Sequence, residues 1–484
     1  MTAALKSVAF AAIFTLAANY CAFSQTIQSK RDSTDGTKNV SGNSRNENKS
    51  KEVDELLAKT FSGESPGAAV LVVQDGQILH KKGYGYANLE TKRKIEPDTI
   101  FDLASVSKQF TAMTILILSE RGKLKLDDSL SKFFPEFPAY AEKITVRHLL
   151  NHTSGLPDYM EAFLKAGKID DEGKPGGFEP SSADTVKLLA EQKELRFEPG
   201  TKWEYSNSGY VVLAMIAEKA SGVPFPQFVK KNIFEPLAMN DSVVFDQTNP
   251  KIKNRAASYA RSAEKSFENI DYTPLNLIYG DGAVNTNLED MFKWDQALYT
   301  EKLVKAATLK QAFTRGKLSD GKEIDYGFGW FPRRVFGLES LSHTGGWAGF
   351  RTYIARYPAQ RFSVVVLSNF AQFSPGSIGN KIARIYLQDK MTLPVAVKLD
   401  DKTLEKYAGR YEFSASAVWE IKNENGALIA KTPNQTTLKL LPESETKFFV
   451  ENSEDVKVTF KLDEKGVVTG FVILQSIERV ARKL

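Results

Sequence analysis

Two hairpin patterns stand far apart in this chain, and any fold must bring them together. The first, "GAAVLVVQDGQILHKKGYGYA" at residues 67–87, has two apolar runs joined at Asp75-Gly76, a dipeptide suited to a tight turn. The second, "FRTYIARYPAQRFSVVVLSN" at residues 350–369, turns around Pro358 to Gln360. Between them the pattern is mostly helical, with long loops. The economical arrangement is one antiparallel sheet built from both ends of a domain, flanked by helices and a helical subdomain, which makes the class α+β. A cleft forms where two such lobes meet.

The pattern changes after the helical stretch "IGNKIARIYLQDK". A linker at 391–401 leads to short alternating segments with turn signals at Asn425-Gly426 and at Asp463 to Gly466. That spacing predicts a small all-β domain, barrel or sandwich, over 402–484. The domain before it is expected to span 52–390. Residues 25–51 hold almost no apolar side chain, so burial cannot offset their ordering entropy and a disordered polar tether is expected. Residues 1–24 read as a secretory signal peptide: Lys6, an apolar run, then Ala22-Phe23-Ser24 with small residues where a signal peptidase reads. The run is too short for a stable membrane span. Cys21 is the only cysteine, and Tyr20 before it is too bulky for lipidation. Cleavage after Ser24 would leave no thiol, hence no disulfide and no cysteine metal site. With 64 basic and 59 acidic residues and a net charge of +5, the 484-residue chain has no dense basic block to hold nucleic acid.

Candidate chemistry starts at "FDLASVSKQFTAMTILILSERG", residues 101–122, where Ser105 and Lys108 stand three apart. Ser-x-x-Lys occurs five times, beginning at Ser105, Ser129, Ser262, Ser319 and Ser444, so spacing alone decides nothing. Ser105 differs by opening an apolar helix that ends at Gly122. On that helix the hydroxyl and the ammonium share a face, and apolar neighbours push a lysine toward accepting a serine proton. The ordinary alternative is a helix-capping serine beside a solvated lysine. Two further stretches weigh against it. "WEYSNSGYVVL" supplies Tyr205 as a base or relay and Asn207 to hold a substrate amide and the lysine. "LSHTGGWAGF" supplies His343, Thr344 and Gly345: a donor or pH-dependent cation, a hydroxyl, and a glycine that lets a substrate backbone approach. His80, His148 and His152 are expected to be structural, His152 fixing a loop. Tyr86-Ala87-Asn88 repeats Tyr-x-Asn but is placed in the first hairpin, with a structural role.

The ordered triple Ser-x-x-Lys, Tyr-x-Asn, His-Thr-Gly resembles the serine β-lactamase and penicillin-binding-protein superfamily. It is most similar to the branch holding class C β-lactamases, D-alanyl-D-alanine carboxypeptidases, D-aminopeptidases and related esterases. "GYGYANLE", "HLLNHTSGLPDY", "GDGAVNTNLEDMFKW" and "YGFGW" add to the resemblance over residues 53–388, and the tail opening with "LEKYAGRYEF" looks like the small β-barrel appended to many relatives. The resemblance implies a β-lactamase/transpeptidase-like fold and acyl transfer through Ser105, with Lys108 and Tyr205 sharing the proton. It implies an oxyanion held by backbone N–H groups of Ser105 and of Gly346 or Trp347, with Asn207, His343, Thr344 and Gly345 orienting the substrate. No metal or cofactor is implied. Class C β-lactamases usually carry Lys-Thr-Gly where this chain has His343-Thr344-Gly345, which points away from antibiotic hydrolysis and toward D-amino-acid peptides, amides or esters, including peptidoglycan-derived ones. A β-lactamase and a non-catalytic binding module are the competing readings. The stretch "YMEAFLKAGKIDDEGKPGGFEPSSADT" is expected to overhang the cleft; no pattern sets an oligomeric state.

Overall fold

The computed structural model describes residues 44–168, 179–246, 251–262, 264, 266–271, 273–414, 417–432, 437–451, 456–474 and 478–484. The expected signal peptide and most of the expected tether lie outside these. Residues 44–51 do not: they are helical, part of a helix over 44–60. The tether expectation fails there because the segment continues the helical turns of 52–60, in which Val53 and Leu57 are buried. Glu47, Lys51 and Glu55 follow one another at four-residue spacing, which adds support on the polar side.

The central sheet has six antiparallel strands. These are β1 (Ala68–Gln74), β2 (Gln77–Tyr84), β3 (Phe331–Val335), β4 (Leu338–Trp347), β5 (Phe350–Tyr357) and β6 (Phe362–Ser368). Their order is β3-β4-β5-β6-β1-β2, so the two hairpins meet at the β1–β6 pair, in register from Ala68 opposite Ser368 to Gln74 opposite Phe362. The interior strands β1 and β6 are buried along nearly their whole length, which is why both read as continuous apolar runs. Asp75 and Gly76 take positive φ at the β1–β2 turn, as a two-residue hairpin loop requires. Tyr86–Asn88 lies just beyond this hairpin, pairing with Arg93–Lys94 in a separate two-stranded sheet. The placement in the hairpin is thereby corrected; Gly85, at φ +75°, turns the chain out of β2.

Helices α1 (Lys108–Glu120) and α2 (Asn207–Ser221) pack on each other, while α3 (Leu288–Ala297) and α4 (Pro375–Leu387) pack on the sheet. Helix α1 is buried from Lys108 to Leu118, and Gly122 beyond it takes a left-handed conformation. Trp294 of α3 stacks on Phe110 of α1 at 4.2 Å and donates from Nε1 to Gln109 Oε1 at 3.0 Å. Among the described residues no helix is long and apolar enough to cross a membrane.

The C-terminal segment is a closed barrel of eight strands between Gly409 and Lys483. Its interior is packed with Tyr407, Tyr411, Phe448, Phe460 and Phe471, and Tyr407 and Phe460 lie 4.5 Å apart. Turns at Asn425-Gly426 and Gly466 take the positive φ that their sequence signals predict.

Candidate active site

Ser105 does not begin the helix proper. It sits in a 3-10 turn, Ala104–Ser107, that leads into α1. Ala104 before it has φ +48°, a conformation that costs a non-glycine residue about 1–2 kcal/mol. The neighbourhood holds it there. Asp102 Oδ1 accepts from Ala104 N at 2.7 Å, Leu103 N donates to Val284 O at 2.8 Å, and Thr352 Oγ1 donates to Leu103 O at 2.7 Å. Asp102 is buried, which raises its carboxyl despite Arg255 nearby.

Lys108 is fully buried and its Nζ reaches three acceptors: Ser105 Oγ at 3.1 Å, Asn207 Oδ1 at 2.9 Å and the Asp281 carbonyl at 2.9 Å. One ammonium thus joins the first sequence motif to the second. The Tyr205 ring centroid lies 5.0 Å from the same Nζ. Tyr205 is positioned from behind by His152, whose ring lies 4.3 Å from it and whose Nδ1 accepts from Ser206 N at 3.1 Å. Glu204 N donates to His152 O at 3.0 Å. Burial, with Lys108 and His343 adding to it, keeps the His152 imidazole neutral. His152 therefore fixes the loop carrying Tyr205, as its sequence context predicts.

Strand β4 forms the opposite wall. Its partner β3 pairs with it only from Leu338 to Ser342, so the edge from His343 onward has no partner strand. On the other side, the Trp347–Phe350 pair closes a two-residue turn, with Gly346 opposite Arg351. Antiparallel alternation then points the Gly346 N–H away from β5, toward the open edge beside Ser105. Gly346 and Trp347 both line the cavity, and Trp347 Nε1 donates to Asn276 Oδ1 at 2.6 Å.

The remaining members of the third motif are placed differently from expectation. His343 is 2% exposed, and both its ring nitrogens are engaged within the protein. Nδ1 lies 2.6 Å from the Thr344 carbonyl, which can only accept, so Nδ1 carries the proton; Nε2 then accepts from Tyr326 OH at 3.0 Å. Burial, and Lys108 after it, pushes His343 down to about 3. It is neither a cation nor a carboxylate ligand at ordinary pH, and the expected pH switch is absent. Thr344 is exposed, does not line the cavity, and sets its γ-methyl beside Gly376 of α4. Gly345 admits the turn bearing Ser105 rather than a substrate: a Cβ there would lie 2.3 Å from Leu103 O. Residue type suggested these roles, and the period-two alternation of β4 reassigns them.

A consequence can be measured. The C2–H proton resonance of His343, identified by its loss in His343→Gln, is expected to keep its neutral position from about pH 8 to about pH 5. A titration step near the usual imidazole value would show that the ring is accessible and would undo this assignment.

The cavity measures about 340 Å³ and is lined by Ser105, Asn207, Asp281, Gly346, Trp347 and Arg351 among others. Asp281 and Arg351 carry no motif. Asp281 lies in a stretch quoted for its resemblance and Arg351 in the second hairpin, but only the folded chain brings them into one cavity with Ser105. Of the segment expected to overhang the cleft, Tyr159–Lys165 is helical and contributes Tyr159 and Met160 to the lining, while 169–178 lie outside the described residues.

A serine whose hydroxyl meets a buried lysine, under an open strand edge with a free N–H, has the layout of a serine acyl-transfer site on a β-lactamase/transpeptidase-like fold. The β-lactamase family model matches residues 49–387, and a domain of unknown function, DUF3471, matches 393–480. The chain is 34% identical over 444 residues to penicillin-binding protein 4* of Bacillus subtilis (strain 168), covering 86% of this chain and 95% of that one. A D-aminopeptidase of Gluconobacter oxydans (strain 621H) is 29% identical over 65% of this chain and 57% of its own length. The octameric penicillin-binding protein homologue from Pyrococcus abyssi superposes with a TM-score of 0.63 at 26% identity, over 89% of this chain and 99% of that one. The chain belongs to the β-lactamase family and is a serine hydrolase of that superfamily.

Proposed function

We propose that this chain is an exported hydrolase that forms a covalent acyl-enzyme on Ser105 and acts on D-amino-acid amides, peptides or esters, including those derived from peptidoglycan. The observation that carries the reading is the contact of one buried Lys108 Nζ with both Ser105 Oγ and Asn207 Oδ1 at the floor of the cavity. Ser105 Oγ attacks the substrate carbonyl, and Lys108 with Tyr205 takes its proton and returns it to the leaving amine or alcohol. The Ser105 and Gly346 N–H groups hold the developing oxyanion, a contribution of about 3–4 kcal/mol where one such donor is removed in other enzymes. Asn207 orients both the substrate and the lysine. Water then cleaves the ester. The signal-like character of residues 1–24 supports export. The neutral His343 stands where class C β-lactamases usually carry a lysine, which supports the D-peptide reading over antibiotic hydrolysis.

The test pairs D- and L-alanine p-nitroanilides with mass spectrometry of the acid-quenched protein. Faster turnover of the D substrate by about tenfold or more, with an acyl mass on the Ser105 peptide, is expected. A preference for the L substrate would rule out the D-specific reading.

A further inference from the structure

The cavity holds a second charged group that the acyl-transfer steps do not use. Asp281 is 8% exposed, and its backbone carbonyl is one of the three acceptors around Lys108 Nζ. An ammonium has three donors, and Ser105 Oγ, Asn207 Oδ1 and Asp281 O account for them. The Asp281 carboxylate is left without a bond to that cation. It receives a hydrogen bond from Tyr159 OH at 3.2 Å, and Tyr159 is itself buried and lines the cavity. A phenol and a local N–H do not fill the roughly four acceptor positions of an ionised carboxylate.

Charge balance says what is missing. Burial raises the Asp281 carboxyl to about 6; Lys108 pulls it down, Asp158 pushes it up, and the Tyr159 hydrogen bond favours ionisation. At neutral pH the group is mostly ionised, and although the Lys108 charge acts on it, a buried carboxylate short of hydrogen-bond partners is costly. A cation arriving from the cavity would relieve that cost. Met160, Leu275 and Ile278 add apolar surface to a lining that also carries Asn207, Asn276 and Arg351, so a substrate side chain would find apolar contacts in the same cavity as the anchored charge. Asp281 and Ser105 line the same cavity, and the Asp281 backbone carbonyl and Ser105 Oγ are both bonded to Lys108 Nζ.

We propose that Asp281, its carboxylate held by Tyr159, anchors the free α-ammonium of the substrate's acyl residue, so that the preferred substrates are D-amino-acid amides, esters or short peptides with an unblocked amino terminus. This rests on the reading of Ser105 as the acylated nucleophile and narrows its substrate class. In the first step the Ser105 Oγ–carbonyl bond forms, the C–N or C–O bond to the leaving group breaks, and the serine proton leaves with that group. Hydrolysis of the ester then releases the amino acid with its ammonium intact.

The experiment compares kcat/KM for D-alanine p-nitroanilide and its N-acetyl counterpart. Wild type is expected to favour the free amine by about tenfold or more. The preference should be greatest between about 6, where Asp281 ionises, and about 8, where the α-ammonium is lost. Lys108, Asp158 and Tyr159 act on Asp281, Asp102 and Arg351 line the same cavity, and the acetylated substrate reports their effect on the chemistry itself. Asp281→Asn should collapse the ratio toward one. Tyr159→Phe, which keeps the carboxylate, should lower it in part. An unchanged ratio in Asp281→Asn overturns the proposal, as does an equal loss on both substrates in a variant of wild-type melting temperature. A Ser105 adduct with equal wild-type rates on both anilides overturns only the ammonium site. No turnover and no adduct overturns the acyl-enzyme reading with it.

Discussion

Ser105→Ala is expected to lower turnover of an activated D-alanine ester by about ten-thousandfold, leaving only the rate that the cavity and its N–H donors provide without a nucleophile. The reason is geometric. Ser105 Oγ is bonded to Lys108, and Lys108 stands at the junction of all the proton-handling groups. Removing one oxygen takes away the atom that is acylated and leaves the junction in place. Stability should hardly change, because the strained turn is fixed by Asp102, Val284 and Thr352 and not by the serine side chain. Steady-state kinetics, a melting curve and labelling with a fluorescent penicillin check this together. Residual turnover within about tenfold of wild type would mean that acyl transfer does not pass through this residue.

The largest expected effect on stability lies elsewhere. Arg356 of β5 and Asp295 of α3 form an ion pair at 2.7 Å with both side chains 1% exposed. The guanidinium also donates to the Asp295 carbonyl at 3.2 Å and lies 4.3 Å from the Tyr299 ring centroid. Asp295→Ala strands a buried cation and should destabilise the domain by about 3–5 kcal/mol. A double replacement, Asp295→Leu with Arg356→Met, should restore much of the loss, since the penalty belongs to the orphaned charge more than to the pair. Urea unfolding followed by tryptophan fluorescence reads both, with Trp294 adjacent in sequence to the pair. A change below about 1 kcal/mol in Asp295→Ala would show that water reaches the guanidinium.

The sheet was legible because its strands announce themselves locally. "AAVLVV" and "FSVVVLS" are apolar end to end, and Asp75-Gly76 marks the turn. Ser105 and Lys108 were legible because three residues along a helical turn is a contact by construction. Asn207 followed from its motif, and its bond to Lys108 needed only the fold that the motifs imply. What sequence withheld is burial and facing. His343 is the same residue type whether exposed to a ligand or enclosed by Tyr326, Phe331 and its neighbour's carbonyl, and only the enclosure makes it neutral. Asp281 sits in "GDGAVNT", where its backbone carbonyl meets Lys108 Nζ, and no spacing marks a residue that acts through its backbone. The start of the helix over 44–60 was missed for another reason: the polar residues 44–51 lack apolar content of their own and are carried by the turns that follow, where Val53 and Leu57 are buried.

Building the sheet from both ends sets the order in which the domain can be completed. Strand β1 finds its hairpin partner β2 almost at once, but its other edge is satisfied only by β6, with Val70 opposite Val366. Loop closure across that span comes late, and contacts between such distant residues slow folding. During synthesis at about 5–20 residues per second, the apolar β1 edge stands open for many seconds before Val366 emerges. Such an edge can pair with another chain in the meantime. Two adjoining interior strands of the finished sheet, β6 and β1, are therefore the last neighbours to meet, and β1 needs shielding until they do.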